Sequence, residues 1–138
     1  MHEPVPGIVL DTNIVLDLLV FQDPLTVPLR AALEGGQLCW IATTAMRDEL
    51  ERVLAYPHIV KRLAFYKLDA EAVLAARDAS VHTVDVAPKA PITCKDPDDQ
   101  RFIDLAVTHQ CLVLSKDQAV LSMAKRMTAL GAAARAAL

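Results

Sequence analysis

Acidic residues follow two short apolar runs near opposite ends of the chain, where they could take part in metal chemistry. Asp11 comes directly after Ile8–Leu10, and Asp117 comes three residues after Leu112–Leu114. Continuous apolar runs of this length are typical of parallel strands covered on both faces. In open parallel sheets, ligands bind beyond the carboxyl ends of the strands. Both carboxylates are therefore expected at one edge of a sheet.

Two other acids are expected to border the core on helices. Glu49 lies three residues after Met46 and four before Val53, so it lies beside the buried stripe of a predicted helix. Asp99 precedes Phe102 by three residues and shares the core-facing side of a first helical turn. With the two acids at strand ends, they form an ordered set spread across the chain.

Carboxylates that converge at one place repel one another and lose hydration. A divalent cation offsets both costs, and a site made only of oxygen ligands suits Mg²⁺ or Mn²⁺. Such a site can orient and deprotonate water and can stabilise the charge of an in-line phosphoryl displacement. No histidine is placed as a general base, so this chemistry would depend on the cation.

Each acid also has a purely structural explanation. Asp11, Asp96 and Asp117 could cap the helices that follow them. Glu49 lies among other charged residues and could belong to a solvated helix face. Asp99 could be an acid that the helix dipole favours in a first turn. Taken singly, each position leaves both explanations open.

The composition favours one domain with a substantial core. Of 138 residues, 54% are hydrophobic and 22% are charged, a balance that argues against disorder. The net charge of −3 does not favour attraction of nucleic acid by overall charge. A phosphate partner would have to be met by local Lys and Arg residues or by a bound cation.

Cysteine usage and hydropathy favour a cytoplasmic protein. The odd number of cysteines and the lack of a Cys-x-x-Cys pair fit a reducing cytosol and give little support to a zinc site. The three are Cys39, Cys94 and Cys111. The apolar segment Ile14–Phe21 is interrupted by Asp17 and follows no basic region, so neither a secretion signal nor a membrane span is predicted.

The elements that must position the acids alternate between strand and helix. Strands are predicted at Ile8–Leu10, Leu38–Ile41, Val81–Val86 and Cys111–Leu114. A first helix is predicted over about Asn13–Phe21, a second one ends at about Glu34, and a third runs from Thr43 or Thr44 to about Ala55. Further helices are predicted over about His58–Tyr66 and Asp69–Ser80, from Pro97 past Phe102, and over about Asp117–Thr128. No strand is predicted in the Ala-rich tail after Gly131. The alternation indicates an α/β fold in a single domain, 1–138, with residues 131–138 peripheral.

Four segments, in this order, resemble the motifs of PIN-domain proteins. They are Leu10–Asn13, Glu49–Pro57, Asp96–Phe102 and Leu114–Asp117, and the resemblance spans residues 8 to about 121. The branch that the chain most resembles contains toxins of toxin–antitoxin systems. The resemblance implies a three-layer α/β/α sandwich with a central, mostly parallel sheet.

The resemblance also implies a ribonuclease that depends on Mg²⁺ or Mn²⁺, one or two ions. Its catalytic and metal-binding acids would correspond to Asp11, Glu49, Asp99 and Asp117, with Asp96 as a further metal ligand and Asn13 and Ser115 in support. The reaction would be hydrolysis of a phosphodiester, which leaves a 5′-phosphate and a 3′-hydroxyl. The implied substrate is single-stranded RNA, the implied partner is a cognate antitoxin, and a homodimer is a further expectation.

Two departures from the family pattern bear on the site. The third motif contains three aspartates, so Asp96 or Asp98 could share the role given to Asp99. Many members carry another acid two residues after the one matching Asp117, and here that position is Ala119. A site with one metal, or with weaker metal binding, is a consequence of this change.

Three cations near the acids are candidates for contact with RNA. They are Lys95, Arg101 and Lys116. The competing explanation is a charged surface that balances the neighbouring aspartates.

Three functions compete on these grounds. The first is the metal-dependent ribonuclease. The second is a catalytically weak or inactive module of the same fold that binds RNA or a protein partner, and Ala119 motivates it. The third is a phosphotransfer domain with Asp11 as phosphate acceptor, for which Ser115 and Lys116 give slight support and which leaves Glu49 unexplained.

Overall fold

The structure, a computed structural model, describes residues 5–138 as a five-stranded parallel sheet with helices on both faces. The strands are β1 (Gly7–Leu10), β2 (Cys39–Ala42), β3 (Val81–Thr83), β4 (Leu112–Leu114) and β5 (Ala133–Arg135). Their order across the sheet is β3-β2-β1-β4-β5, and every neighbouring pair is parallel. The predicted α/β/α sandwich is confirmed.

Eight α-helices cover the sheet within the described residues. They are α1 (Thr12–Leu16), α2 (Val27–Glu34), α3 (Thr44–Leu54), α4 (Pro57–Phe65), α5 (Ala70–Ser80), α6 (Gln100–Thr108), α7 (Gln118–Leu121) and α8 (Ala124–Thr128). A π-helical segment, Asp17–Phe21, continues α1, and 3-10 turns form at Pro24–Thr26 and Pro97–Asp99. None of these helices combines the length and the hydropathy needed to cross a bilayer.

The central strand has its side chains buried on both faces of the sheet. Ile8 and Leu10 pack with Trp40 in a core formed with α1 to α5. Val9 lies on the other face and packs with Val113 and residues of α6, α7 and α8. Burial on both faces explains why β1 and β4 are continuous apolar runs and not alternating ones.

β1 and β4 are neighbours at the point where the sheet reverses its order. From β1 the chain continues to β2 on one side, whereas from β4 it continues to β5 on the other. Leu10 pairs with Leu114, so the residues that follow, beginning with Asp11 and Ser115, leave the sheet side by side. Ligands of open α/β sheets bind at such a reversal, outside the carboxyl ends of the strands.

The prediction that the tail contains no strand is wrong. Ala133–Arg135 forms β5 and extends the sheet beyond β4, with Leu112 opposite Ala133. The amide of Ser115 also donates to the carbonyl of Arg135, at 3.0 Å. The free edge of β4 decides this pairing, because alanine itself has little preference for strands.

Two other predicted elements differ from the observed ones. β3 ends at Thr83 and not at Val86, because its partner strand β2 ends at Ala42. The single helix predicted over Asp117–Thr128 is two helices, α7 and α8, separated at Ser122 and Met123.

Candidate metal centre

Asp11 lies at the reversal point and is both a helix cap and a buried carboxylate. Its Oδ1 accepts a hydrogen bond from the amide of Ile14 at 3.1 Å, which caps α1. Its Oδ2 accepts a hydrogen bond from the hydroxyl of Ser115. The backbone amide of Asp11 donates to the carbonyl of Leu114 at 3.1 Å, and the side chain is buried. Asp11 is therefore a helix cap, and its second carboxylate oxygen contacts another predicted site residue.

Ser115 links Asp11 to Asp117. Its side chain is fully buried, and while it donates to Asp11 its Oγ accepts the amide of Asp117 at 3.0 Å. Asp117 in turn caps α7, because its Oδ1 accepts the amide of Ala119 at 2.8 Å. A single hydroxyl thus sets the relative position of two predicted site acids.

Three carboxylates form a compact acidic set. One oxygen each from Asp96, Asp99 and Asp117 lies within 4.8 Å of the others. Asp96 also caps the turn that follows it, because its Oδ1 accepts the amide of Asp98 at 3.0 Å. Asp98 itself is exposed and outside the set. Of the three aspartates in this motif, Asp96 and Asp99 are therefore the ones placed to bind an ion with Asp117.

The pKa of Asp99 shows the repulsion between the carboxylates of this set. Burial, together with the adjacent carboxylate of Asp117 and the charges of Asp96 and Asp11, raises the pKa of Asp99 to about 7. Its Oδ2 is buried and has no hydrogen-bond partner. Two ionised carboxylates only accept hydrogen bonds, so Asp99 and Asp117 can be joined only by a shared proton or by a cation.

The pKa of Asp11 is also raised. Burial is the largest cause, and the negative charge of Asp117 adds to it. The hydrogen bonds from Ser115 and from the amides of Ile14 and Asn13 act in the opposite direction, because they stabilise the ionised form. Asp11 is thus a desolvated carboxylate that donors of its own chain hold in place.

Glu49 stands beside the acidic set and not within it. Its Oε2 accepts a hydrogen bond from the hydroxyl of Thr12 at 3.1 Å, and the guanidinium of Arg101 lies 3.9 Å from the same oxygen. Within residues 5–138, the set of three acids includes neither Glu49 nor Asp11. Thr12 was not predicted as a site residue, although its position directly after Asp11 was a usable signal.

The remaining predicted residues lie around this centre in different ways. Asn13 is exposed in the first turn of α1, and Lys95 is exposed next to Asp96. Arg101 is half-buried beside Glu49. None of these placements assigns a role to Asn13 or Lys95.

Lys116, a predicted RNA contact, pairs with an acid of its own chain. Its ammonium lies 2.6 Å from a carboxylate oxygen of Asp17, a buried residue of the π-helical segment. The charge of Lys116 is therefore balanced within the chain, while about half of its side chain is exposed. Asp17 was also not predicted as part of the site, although an acid inside an apolar helix indicates a buried polar partner.

The donor set fits a hard divalent cation. Asp96, Asp99 and Asp117 offer only oxygen atoms, as Mg²⁺ and Mn²⁺ prefer. The buried Asp99 Oδ2 lacks a donor, and the raised pKa of Asp99 reports uncompensated negative charge. A cation bound between these residues would give Asp99 Oδ2 a partner and would offset the negative charge.

The parallel α/β sandwich, with carboxylates gathered at its reversal point, places this chain among α/β proteins with an acidic, cation-compatible centre. The profile of the PIN domain matches residues 7–119, a span that contains all the acids described above. The chain belongs to the PIN-domain family. PIN domains are generally metal-dependent nucleases. No curated protein matches the chain significantly.

Proposed function

We propose that this chain is an endoribonuclease that hydrolyses phosphodiester bonds of single-stranded RNA with Mg²⁺ or Mn²⁺. The observation that carries the proposal is the buried, unpartnered Oδ2 of Asp99 within the set that Asp96 and Asp117 complete. An acidic set of this kind is destabilising without a cation, and a family of nucleases gives it a use. RNA as the substrate follows from the resemblance of the motifs.

The proposed roles follow from the contacts of each side chain. Asp96, Asp99 and Asp117 would hold the ion. The ion would supply a polarised water and stabilise the charge that develops on the phosphodiester. Ser115 fixes Asp11 beside Asp117, and Thr12 fixes Glu49 at the rim of the same centre.

Arg101 and Lys95 are the proposed phosphate contacts. The guanidinium of Arg101 lies near Glu49 and is partly exposed, so it can also reach a phosphate at the rim. Lys95 is exposed and adjacent in sequence to Asp96. Asn13 would support the centre from the first turn of α1.

Cleavage assays with matched variants test the proposal. Wild-type protein should cleave single-stranded RNA with Mg²⁺ or Mn²⁺, and a chelator should stop it. Asp99→Asn and Asp11→Asn should lower kcat/KM by roughly a hundredfold or more. Asp98→Asn removes the same charge from an exposed neighbour and should cleave like wild type. Equal cleavage by wild type and Asp99→Asn would refute the site.

A second candidate is the catalytically weak or inactive module, and Ala119 favours it. The amide of Ala119 bonds to Asp117, but its methyl group provides no ligand where many relatives have an acid. This module would bind RNA or a protein partner without turnover. Calorimetry decides between the two, because Mn²⁺ binding that Asp99→Asn abolishes supports the enzyme, and its absence supports the module.

The phosphotransfer alternative is disfavoured by the surroundings of Asp11. The residue is only 3% exposed, and both of its carboxylate oxygens accept hydrogen bonds. An acceptor carboxylate has to reach its phosphodonor, and this one is enclosed. Acetyl phosphate should leave the protein unlabelled.

We further propose that the chain acts in the cytoplasm as the toxin of a toxin–antitoxin pair, and as a homodimer. The resemblance of the motifs supports these points, and the three free cysteines are compatible with a reducing compartment. Expression of wild type should arrest growth, whereas Asp99→Asn should not. Coexpression of the adjacent reading frame should restore growth if it encodes the antitoxin, and sedimentation should report the dimer.

A further inference from the structure

The exposed aromatic rings of this chain are concentrated on one helix. Of six aromatic residues, Trp40 and Phe102 are buried in the core. The exposed ones are Tyr56, Phe65 and Tyr66, and Phe65 is 79% exposed. All three lie on or next to α4. Large exposed rings on a single helix are a mark of a binding surface.

The stretch of sequence that contains this helix is basic and free of acids. The stretch 52–68 contains no Asp or Glu, in a chain whose net charge is −3. It carries Arg52, Lys61, Arg62 and Lys67, which are all exposed. Within residues 5–138, none of them forms an ion pair with a carboxylate. Their charges are therefore available to an anionic partner.

The helical period places rings and cations together on the outer side of α4. Ile59 and Leu63 are buried against the core. Lys61 and Phe65 are four residues apart and lie on the opposite side, so they are neighbours on the solvent face. This arrangement offers a flat ring beside a cation.

Other aromatic contacts hold this surface in place. Phe65 packs edge to face on Tyr66 with ring centroids 5.1 Å apart, and Tyr66 lies 6.2 Å from Phe21. The guanidinium of Arg62 lies 3.9 Å above the ring of Phe21. A ring supported in this way loses little further freedom when a planar group stacks on it.

We propose that the outer face of α4, with Tyr56, Lys61, Arg62, Phe65 and Tyr66, binds single-stranded RNA on its way to the acidic centre. The inference rests on the proposed ribonuclease function and assigns its substrate a path. Bases stack on exposed aromatic rings, and phosphates pair with the neighbouring cations. An overall acidic protein would then bind RNA through one local basic surface.

The position of α4 is compatible with such a path. It follows α3, which carries Glu49, and it packs in the same core as α1. Phe21, which Tyr66 and Arg62 contact, ends the helical segment that begins at Thr12, beside Asp11, so one helical segment joins this surface to the acidic centre.

A second basic stretch supplies a matched control. Residues 118–138 also lack acids and carry Lys125, Arg126 and Arg135, but they contain no aromatic residue. α8, which carries Lys125, packs on the opposite face of the sheet from α4. If charge alone attracted RNA, the two basic stretches would contribute equally to the affinity for RNA.

The test is the affinity for a labelled single-stranded RNA of mixed sequence, measured by anisotropy with a chelator present so that no cleavage occurs. Phe65→Ala should weaken binding roughly five- to a hundredfold, whereas Phe65→Tyr should retain it because the ring remains. Lys61→Glu should weaken binding and reduce its salt dependence. Lys125→Glu should change the affinity far less than Lys61→Glu. Wild-type affinity in Phe65→Ala, or no binding by wild type, would overturn the inference.

The measurements distinguish an error in the proposed RNA-binding surface from an error in the proposed nuclease function. If wild type cleaves RNA and Phe65→Ala leaves KM unchanged, the surface is refuted and the nuclease stands. If Phe65→Ala weakens binding but no variant cleaves, the surface stands and the nuclease falls. If Phe65→Ala dissociates a dimer in sedimentation and leaves RNA affinity unchanged, α4 is an interface between copies, and the inference is overturned.

Discussion

The ammonium of Lys116 lies 2.6 Å from the carboxylate of Asp17, and this contact ties the segment after β4 to the π-helical segment after α1. Asp17 is buried, whereas about half of the Lys116 side chain is exposed. The residues on either side of Lys116 are Ser115 and Asp117, which both belong to the acidic centre. The ion pair therefore joins the π-helical segment to the backbone that carries Ser115 and Asp117.

Replacing Lys116 with methionine distinguishes two effects of this residue on ion binding, the positioning of Asp117 and the positive charge near the carboxylates. If the pair positions Asp117, Lys116→Met should weaken Mn²⁺ binding about tenfold, a usual effect for a supporting contact. If only charge matters, loss of a cation near three carboxylates should tighten Mn²⁺ binding. Calorimetry measures the difference, and tighter binding by Lys116→Met would contradict positioning.

Lys95→Met is the matched control for this experiment. It removes the same charge next to Asp96 and breaks no ion pair among the described residues. Its affinity for Mn²⁺ should equal or exceed that of wild type. Lys116→Arg should restore binding, because it can still pair with Asp17.

Removing the hydroxyl of Ser115 should destabilise the protein. Ser115→Ala leaves Asp11 Oδ2 buried without its donor, which costs about 1–3 kcal/mol of unfolding free energy. The loss should appear in chemical denaturation without divalent ions. Ser122→Ala removes an exposed hydroxyl that donates to the carbonyl of Ala119, and it should stay within about 0.5 kcal/mol of wild type. Equal stability of the two variants would argue against the link between Asp11 and Asp117.

Stability should depend on pH in a way that Mn²⁺ removes. Because the pKa of Asp99 rises from 3.8 to about 7 on folding, the folded state binds more protons between these values than the unfolded state does. Stability without metal should therefore fall as pH rises from about 4 to about 7. The raised pKa of Asp11 acts in the same direction.

Thermal denaturation at a series of pH values with a chelator measures this effect. The lowered pKa of Asp78, which is caused by Arg47, acts in the opposite sense but below this range. Asp99→Asn should flatten the profile, and Mn²⁺ should flatten that of wild type. If the stability of the wild type in the presence of chelator does not change with pH, the carboxylates of the acidic set do not repel one another as proposed.

The number of bound ions should follow from the residue at position 119. With alanine there, wild type should bind one Mn²⁺ per chain in calorimetry. Ala119→Asp supplies a carboxylate two residues after Asp117 and should add a second, weaker site. Two ions bound by wild type would show that Ala119 does not limit the site.

Much of the fold could be read from local patterns. The runs Ile8–Leu10 and Leu112–Leu114 pack on both faces of the sheet, and a continuous apolar run is typical of parallel strands covered in this way. The helix boundaries at Thr43 and Asp69 were predictable too, since both side chains cap the amide three residues later. Periodicity and capping act over a few residues, so the sequence alone carries them.

β5 could not be read in this way. Ala133–Arg135 has no strand-like pattern, and it becomes a strand because β4 presents a free edge beside it. The partner of Lys116 was hidden for a similar reason, because Asp17 lies about a hundred residues away in sequence. Such pairings depend on which segments the finished sheet brings together.

The sequence by itself determined the kinds of acid, their order along the chain and the ends of elements at which they lie. Only the tertiary structure decided that Asp96, Asp99 and Asp117 converge, that Glu49 stays beside them and that Asp98 faces solvent. The physical reason is that caps form within one turn, whereas repulsion between carboxylates depends on distances that only the folded chain sets. Asp11 and Asp117 were each readable as a cap or as a site residue, and the folded chain makes them caps that also border the acidic centre.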